Sequence, residues 1–356
     1  MNKLATTLLA AGAALAATAT AQAADAKACW IYVGPIGDYG WSYQHHQGLL
    51  AVEEQFGDRV ETAYLESVSE GADAERAIER FARSGCDIIF TTSFGFMDAT
   101  NKIAARFPDV KFEHATGYKR ESENVATYNS KFYQGRYILG QIAASVSEAG
   151  VAGYIGSFPI PEVVRGINAF MLGAQSINPD FEVKVVWVNT WFDPGRESDA
   201  AKALVDQGVD IMVQHTDSTA PMQVAAERGI KAFGQASDMF AFGEETQLTS
   251  IVDDWASYYI ERVGAVLDGT WEQHDVWGGL AEGHVVMAPY WNMPYDVAAM
   301  ATDTEKRIMV GDFEPFTGPI NKQDGTEWLA EGATASEGEL LGMNFYIEGI
   351  DDQLPE

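Results

Sequence analysis

Positive charge is scarce in this chain: 23 lysines and arginines stand against 52 aspartates and glutamates, a formal net charge of -29. A surface of that sign repels nucleic acid and anionic membranes, so neither is an expected partner, and the acidity reads as a solubility device. Cysteine is scarcer still, with Cys29 and Cys86 alone, and no Cys-x-x-Cys or His-x-x-x-His spacing offers a zinc ligand set. His45 and His46 are adjacent, so on a helix they point to different faces and read as a surface or cleft-rim pair. No metal and no cofactor are expected. A Gly-x-Ser-x-Gly elbow is missing, and "GPIGDYG" lacks the spacing of a dinucleotide-binding loop.

Long apolar runs are also missing beyond the start of the chain, where "MNKLATTLLAAGAALAATATAQA" has Lys3, a short Ala/Leu stretch and the A-x-A site Ala21-Gln22-Ala23. Residues 1–23 therefore read as a cleaved secretory signal. Cys29 lacks the run that bacterial lipidation needs before it, so a free periplasmic protein is the expectation. Export makes a Cys29–Cys86 disulfide permissible, since the two cysteines open similar strands, "CWIYVG" and "CDIIFTT". Two buried free thiols are the other reading.

What is present is a rhythm. Apolar runs bounded by turn residues, each followed by a helical pattern, recur at "WIYVG", "VETAYLE", "CDIIFTTS" and "VKFEHATG". They recur again at "VAGYIGS", "FEVKVVWVN", "VDIMVQH" and "IKAFGQAS". This predicts an α/β protein of two lobes, each a doubly wound parallel sheet with flanking helices. The break is expected near "SVSEAG", residues 145–150. One lobe would hold 27–143 plus about 252–280 and the other 144–250 plus about 283–356, with hinges near 143–150, 249–253 and 278–286.

Open parallel sheets bind ligands beyond the carboxyl ends of their strands, so two facing lobes surround one cleft. Residues at those ends are the candidates: Trp41, Phe94, Thr116, Trp191, His215, Asp217 and Asp238. Two indoles from opposite lobes suit a planar heteroaromatic guest, each face contact contributing about 1 kcal/mol beyond area burial. Asp217 and Asp238 suit ring N–H or amine donors, or else cap helices.

Taken together, "GDYGWSYQHHQG", "GYIGSFPIPEVVRGINAFMLGA", "NTWFDPGRESDAAKALVDQGVDI", "GIKAFGQASD" and "LTSIVDD" resemble the basic membrane lipoprotein family of periplasmic substrate-binding proteins for ABC importers, of purine nucleoside receptor type. The likeness runs from about residue 28 to 320. It implies a type I periplasmic binding fold with three hinge crossings, purine capture and an inner-membrane permease as partner. It places Trp41 and Trp191 where the family has its stacking aromatics, and Ser42 where it has a base-contacting asparagine. Ala236 and Asp253 replace the family's ribose-holding aspartate and lysine. An acceptor at Asp253 and no sugar-holding pair favour a free nucleobase, adenine first, over a nucleoside.

A monomeric carrier without chemistry is thus the expectation. Rival classes are a sugar or signal receptor on the same fold, or a purine-acting hydrolase or deaminase. The hydrolase would need an early aspartate cluster for Ca²⁺ and the deaminase a His-x-Glu with Cys-x-x-Cys, and the sequence has neither.

Overall fold

A computed structural model describes residues 24–355; the expected signal segment, 1–23, lies outside the described residues. The chain first lays down β1 (Ala26–Ile31), α1 (Trp41–Phe56), β2 (Val60–Leu65), α2 (Ala72–Arg83), β3 (Ile88–Thr91), α3 (Met97–Ala104), β4 (Lys111–Ala115) and β5 (Val125–Ser130). It continues through α4 (Phe132–Val146), β6 (Val151–Gly156), α5 (Pro161–Gln175), β7 (Glu182–Trp187), α6 (Pro194–Asp206), β8 (Ile211–His215), α7 (Ala220–Arg228), β9 (Lys231–Ala236) and β10 (Gln247–Asp253). The last part holds α8 (Ala256–Asp268), β11 (Asp275–Gly278), β12 (Val285–Met287), α9 (Tyr295–Met309), a small hairpin of β13 (Ile320–Asn321) and β14 (Glu327–Leu329), and α10 (Glu337–Leu341).

The strands form two six-stranded sheets, ordered β11-β5-β4-β3-β1-β2 and β12-β10-β9-β8-β6-β7. The five strands native to each sheet follow one winding, with the second strand outside the first and the third, fourth and fifth on the other side. Each sheet is completed by a late strand, β11 parallel to β5 and β12 antiparallel to β10. Strands such as β3, β5, β6 and β8 are buried along their whole length, as strands covered by helices on both faces are. These two lobes are the type I periplasmic binding architecture.

The first crossing differs from expectation. Phe132, Tyr137, Ile138 and Ile142 of α4 belong to the second lobe's core, so the chain crosses at Ser130–Phe132 and not at 143–150. Glycine makes this packing possible: a Cβ on Gly140 would strike the Phe170 carbonyl of α5, and one on Gly173 would strike the Tyr137 carbonyl of α4. The second crossing lies between β10 and α8, where Asp253 ends the second sheet and Trp255 enters the first lobe's core. The third lies between Gly278 of β11 and Val285 of β12.

Cys29 and Cys86 form a disulfide with Cα atoms 6.1 Å apart, tying β1 to the turn that leads into β3. Both cysteines are buried in the first lobe's core.

Candidate functional site

In both sheets the winding reverses between the first and third strands, β1 and β3 in one lobe and β6 and β8 in the other. A crevice opens beyond such a reversal because neighbouring loops leave on opposite faces. The two crevices face each other across one narrow cavity. The first lobe contributes Val33, Trp41, Ser93, Phe94 and Thr116; the second contributes Glu162, Trp191, His215, Asp217 and Gln235.

Trp41, in the first turn of α1, packs against the first lobe's core on one side and lines the cleft on the other. Asp38 organises the approach, its carboxylate accepting from the backbone N–H of Gly40 at 2.8 Å, Ser42 at 3.1 Å and Tyr43 at 3.0 Å. The turn this makes delivers Trp41 to the cleft, where its indole N–H donates to the Thr92 carbonyl at 2.6 Å. The ring edge packs on Trp255 and His45, with centroids 5.7 and 4.4 Å away, which fixes the plane of the indole. His45 is therefore no surface residue: it is fully buried, stacked on Trp255, and burial holds its pKa well below the ordinary histidine value. His46 is half-buried beside Tyr64.

Trp191 follows β7 in the second lobe and leans on Phe158 at 5.1 Å. Its indole N–H donates 3.1 Å across the cleft to Glu70 of the first lobe, and its carbonyl accepts from the Asp217 N–H at 2.9 Å. Asp193 caps α6, accepting from the Arg196 N–H. Glu197 of that helix accepts from Ser218 N–H and O–H at 3.1 and 2.6 Å, which seats the loop carrying Asp217.

The polar lining offers both acceptors and a donor. Asp217 Oδ2 and His215 Nδ1 are buried without partners. Burial, then the charges of Asp38 and Glu197, pushes the Asp217 carboxyl well above the usual carboxylate range. A ligand N–H would return it to the charged form by supplying the missing bond. Burial holds His215 below its ordinary value, hence neutral, and Glu162 stands 3.6 Å from its Nε2. Gln235 Oε1 accepts from the buried Arg136 guanidinium, so its amide nitrogen is the end left for a guest. Thr116 and Ala236, at the ends of the fourth strand of each lobe, both have positive φ, 60° and 59°, a strained conformation for side-chain-bearing residues.

Of the nine ligand candidates read from sequence, the structure brings Trp41, Phe94, Thr116, Trp191, His215 and Asp217 together. Three stand elsewhere. Ser42 turns inward, its Oγ accepting from the Gly34 N–H at 3.0 Å. Asp238 folds its own loop, accepting from Phe240 N–H at 3.1 Å and Gln247 Nε2 at 2.7 Å. Asp253 is fully buried at the second crossing and is not among the residues lining the cavity, with neither carboxylate oxygen bonded. Burial, then the Glu162 charge, pushes its pKa well above the ordinary value.

Sequence reasoning missed Val33, Ser93, Glu162 and Gln235 in the lining and Glu70 at its rim. Glu162 carries the same signal as Asp217, since it opens a helix just past a strand, next to Pro161 at the first helical position. Gln235 sits inside β9, where alternation marks burial but not a ligand. Glu70 lies before α2, bonded to the Ser93 hydroxyl of its own lobe, and meets Trp191 only across the closed cleft. Among the described residues no group of three or more His, Cys, Asp or Glu could hold a metal ion. Among them, too, no helix is long and apolar enough to cross a membrane.

A family model described as ABC transporter substrate-binding protein, PnrA-like, matches residues 26–313. The chain is 63% identical over 330 residues to a purine-binding protein of Brucella abortus, covering 93% of this chain and 94% of that one. It is 38% identical over 331 residues to a Haloferax volcanii protein with the provisional name of ABC transporter glucose-binding protein, covering 92% and 81%. A solved ABC transporter solute-binding protein from Aeropyrum pernix K1 matches with a TM-score of 0.70 at 19% identity, over 81% of this chain and 92% of that one. One from Conexibacter woesei matches with 0.64 at 20%, over 81% and 98%. At such identities these two likenesses are of fold.

Proposed function

The chain belongs to the PnrA-like family of ABC transporter substrate-binding proteins, and from that premise we propose that it captures a free purine base, adenine first, between Trp41 and Trp191. It works in the periplasm as a monomer, without catalysis, and hands the ligand to an inner-membrane permease. The observation that carries the reading is two tryptophans from opposite lobes lining one cavity with the unpartnered carboxylate oxygen of Asp217. The 63% identical relative named for purine binding supports it.

A purine presents two π-faces to the indoles and has ring N–H donors and ring nitrogen acceptors on its edge. Asp217 and Gln235 are complementary to those edge groups. The role first expected of Asp253, accepting from the imidazole N–H, passes to Asp217, which lines the cavity. A free base is favoured over a nucleoside because Ala236 offers no side-chain partner to a sugar hydroxyl. An unpaired buried hydroxyl costs about 1–3 kcal/mol.

Capture is a closure. In the closed arrangement Gln44 Nε2 donates to the Asp253 carbonyl at 2.6 Å, the Ser237 hydroxyl donates to the Tyr39 carbonyl, and the Gly40 backbone packs against that of Asp217. A ligand shifts the open–closed equilibrium by the contacts it makes to both lobes at once, and the aromatic pair supplies such contacts.

Calorimetric titration with adenine, adenosine and glucose tests the proposal. Adenine should bind at least about tenfold more tightly than adenosine. Adenosine binding as tightly or more tightly overturns the free-base reading, and glucose binding without purine binding, the reading the Haloferax volcanii relative favours, overturns both.

A further inference from the structure

The matched family region ends at residue 313, yet the fold continues. Residues 314–355 wrap onto the second lobe, adding Phe316, Ile320, Leu329, Leu340, Met343 and Tyr346 to its core. This segment is pinned to α5. Arg165 Nη1 donates to the Leu340 carbonyl at 2.7 Å, Asn168 Nδ2 donates to the Phe345 carbonyl at 2.8 Å, and the Ile347 N–H returns a bond to Asn168 Oδ1. Ser336 and Glu339 close a capping box that sets the start of α10. With Leu340 anchored in the core, the next residue, Leu341, is turned toward the cleft.

There it bounds a second, narrow interlobe space, whose other walls are Gly117, Tyr118 and Asn129 of the first lobe and Pro161 and Arg165 of the second. Phe94, Thr116 and Glu162 line both this space and the tryptophan cavity, so the two adjoin. A group attached to a base held between Trp41 and Trp191, and leaving past Phe94 and Thr116, runs toward α10. Its surroundings are a buried guanidinium, an amide and a phenol, which suit a polar substituent, and its far limit is an aliphatic side chain.

We propose that Leu341, supplied by the C-terminal segment, is a specificity-determining residue that sets how large a substituent the bound purine can carry. The proposal rests on the purine reading of the neighbouring cavity. Leu341→Ala lengthens the side space and Leu341→Trp fills it, while the aromatic pair and Asp217 are untouched.

The test is calorimetric titration of the full chain and both variants with adenine, with adenosine as the N9-substituted probe and with N6-benzyladenine as the N6-substituted probe. Adenine affinity should stay within about twofold in all three proteins. For at least one substituted purine, the affinity relative to adenine should rise about tenfold in Leu341→Ala and fall by a similar factor in Leu341→Trp. Unchanged ratios for both probes overturn the proposal. So does an equal loss of all three ligands in both variants, which marks Leu341 as structural support. If the wild-type chain binds no purine, the purine reading fails first and this inference with it.

Discussion

The indole N–H of Trp191, in the second lobe, donates to the carboxylate of Glu70, in the first, and the same Oε1 accepts from the Ser93 hydroxyl at 2.6 Å. A Cβ at Gly95 would collide with that carboxylate, so Gly95 provides the notch in which it lies. One side chain therefore orients a ring of the clamp and joins the lobes, and it does both only when the cleft is closed.

Removing that acceptor should loosen the closed form. Glu70→Ala is expected to weaken adenine binding by about 1 kcal/mol, roughly fivefold, mostly through a faster off-rate, whereas Glu70→Gln keeps an acceptor and most of the affinity. Stopped-flow tryptophan fluorescence reads both rates. Equal off-rates in all three proteins would show that the contact does not hold the lobes together.

The two rings are expected to contribute comparably. Trp41→Ala and Trp191→Ala should each cost about 1–3 kcal/mol of purine affinity, and phenylalanine at either position should recover part of it by restoring a π-face without the N–H. Calorimetry with adenine decides, and unchanged affinity in both alanine variants rules out the clamp.

Closure should be linked to protons. Burial raises Asp38 from 3.8 to about 6 in the closed arrangement, against the pull of its three backbone N–H bonds. A raised carboxyl favours the closed form most below its ordinary pKa, and that advantage is lost as pH rises through about 6. Ligand binding near that pH is therefore expected to take up protons, and affinity should rise as pH falls from 7 toward 5. Calorimetry in two buffers of different ionisation enthalpy measures the uptake, which Asp38→Asn should diminish. Proton release, or none exchanged, would contradict the linkage.

The Cys29–Cys86 bridge spans a sequence separation of 57, and chain-entropy arguments give such a loop about 4 kcal/mol of stabilisation. Denaturation without reductant in the presence of a thiol label should leave the mass unchanged. The double Cys→Ala variant should melt at lower temperature, with adenine affinity preserved, because the bridge sits in the first lobe's core and away from the cleft. Two added labels would show free thiols.

What the sequence by itself determined follows from periodicity and chain order. The strand–helix rhythm requires parallel sheets, because each strand of a βα run must be carried back by a helix, and its repetition requires two of them. Since such sheets bind beyond their strand ends, Trp41, Phe94, Thr116, Trp191, His215 and Asp217 were legible from their place in the chain. The partner of an element was not. Nearly every face of α4 is buried, and a pattern of burial records that a helix is covered without recording which sheet covers it; glycines at 140 and 173 settle the matter only once α5 lies alongside. Nor does a strand-end position fix where a side chain turns. Ser42 and Asp238 are held by hydrogen bonds within their own loops, while Asp253 is walled in where β10 gives way to α8. The Glu70–Trp191 contact and the place of Leu341 join residues tens to hundreds of positions apart along the chain, and only closure of the two lobes and docking of the C-terminal segment bring them together. Burial and strand direction are local constraints that composition and spacing express, whereas contacts between lobes depend on the angle at which they meet, which tertiary packing alone sets.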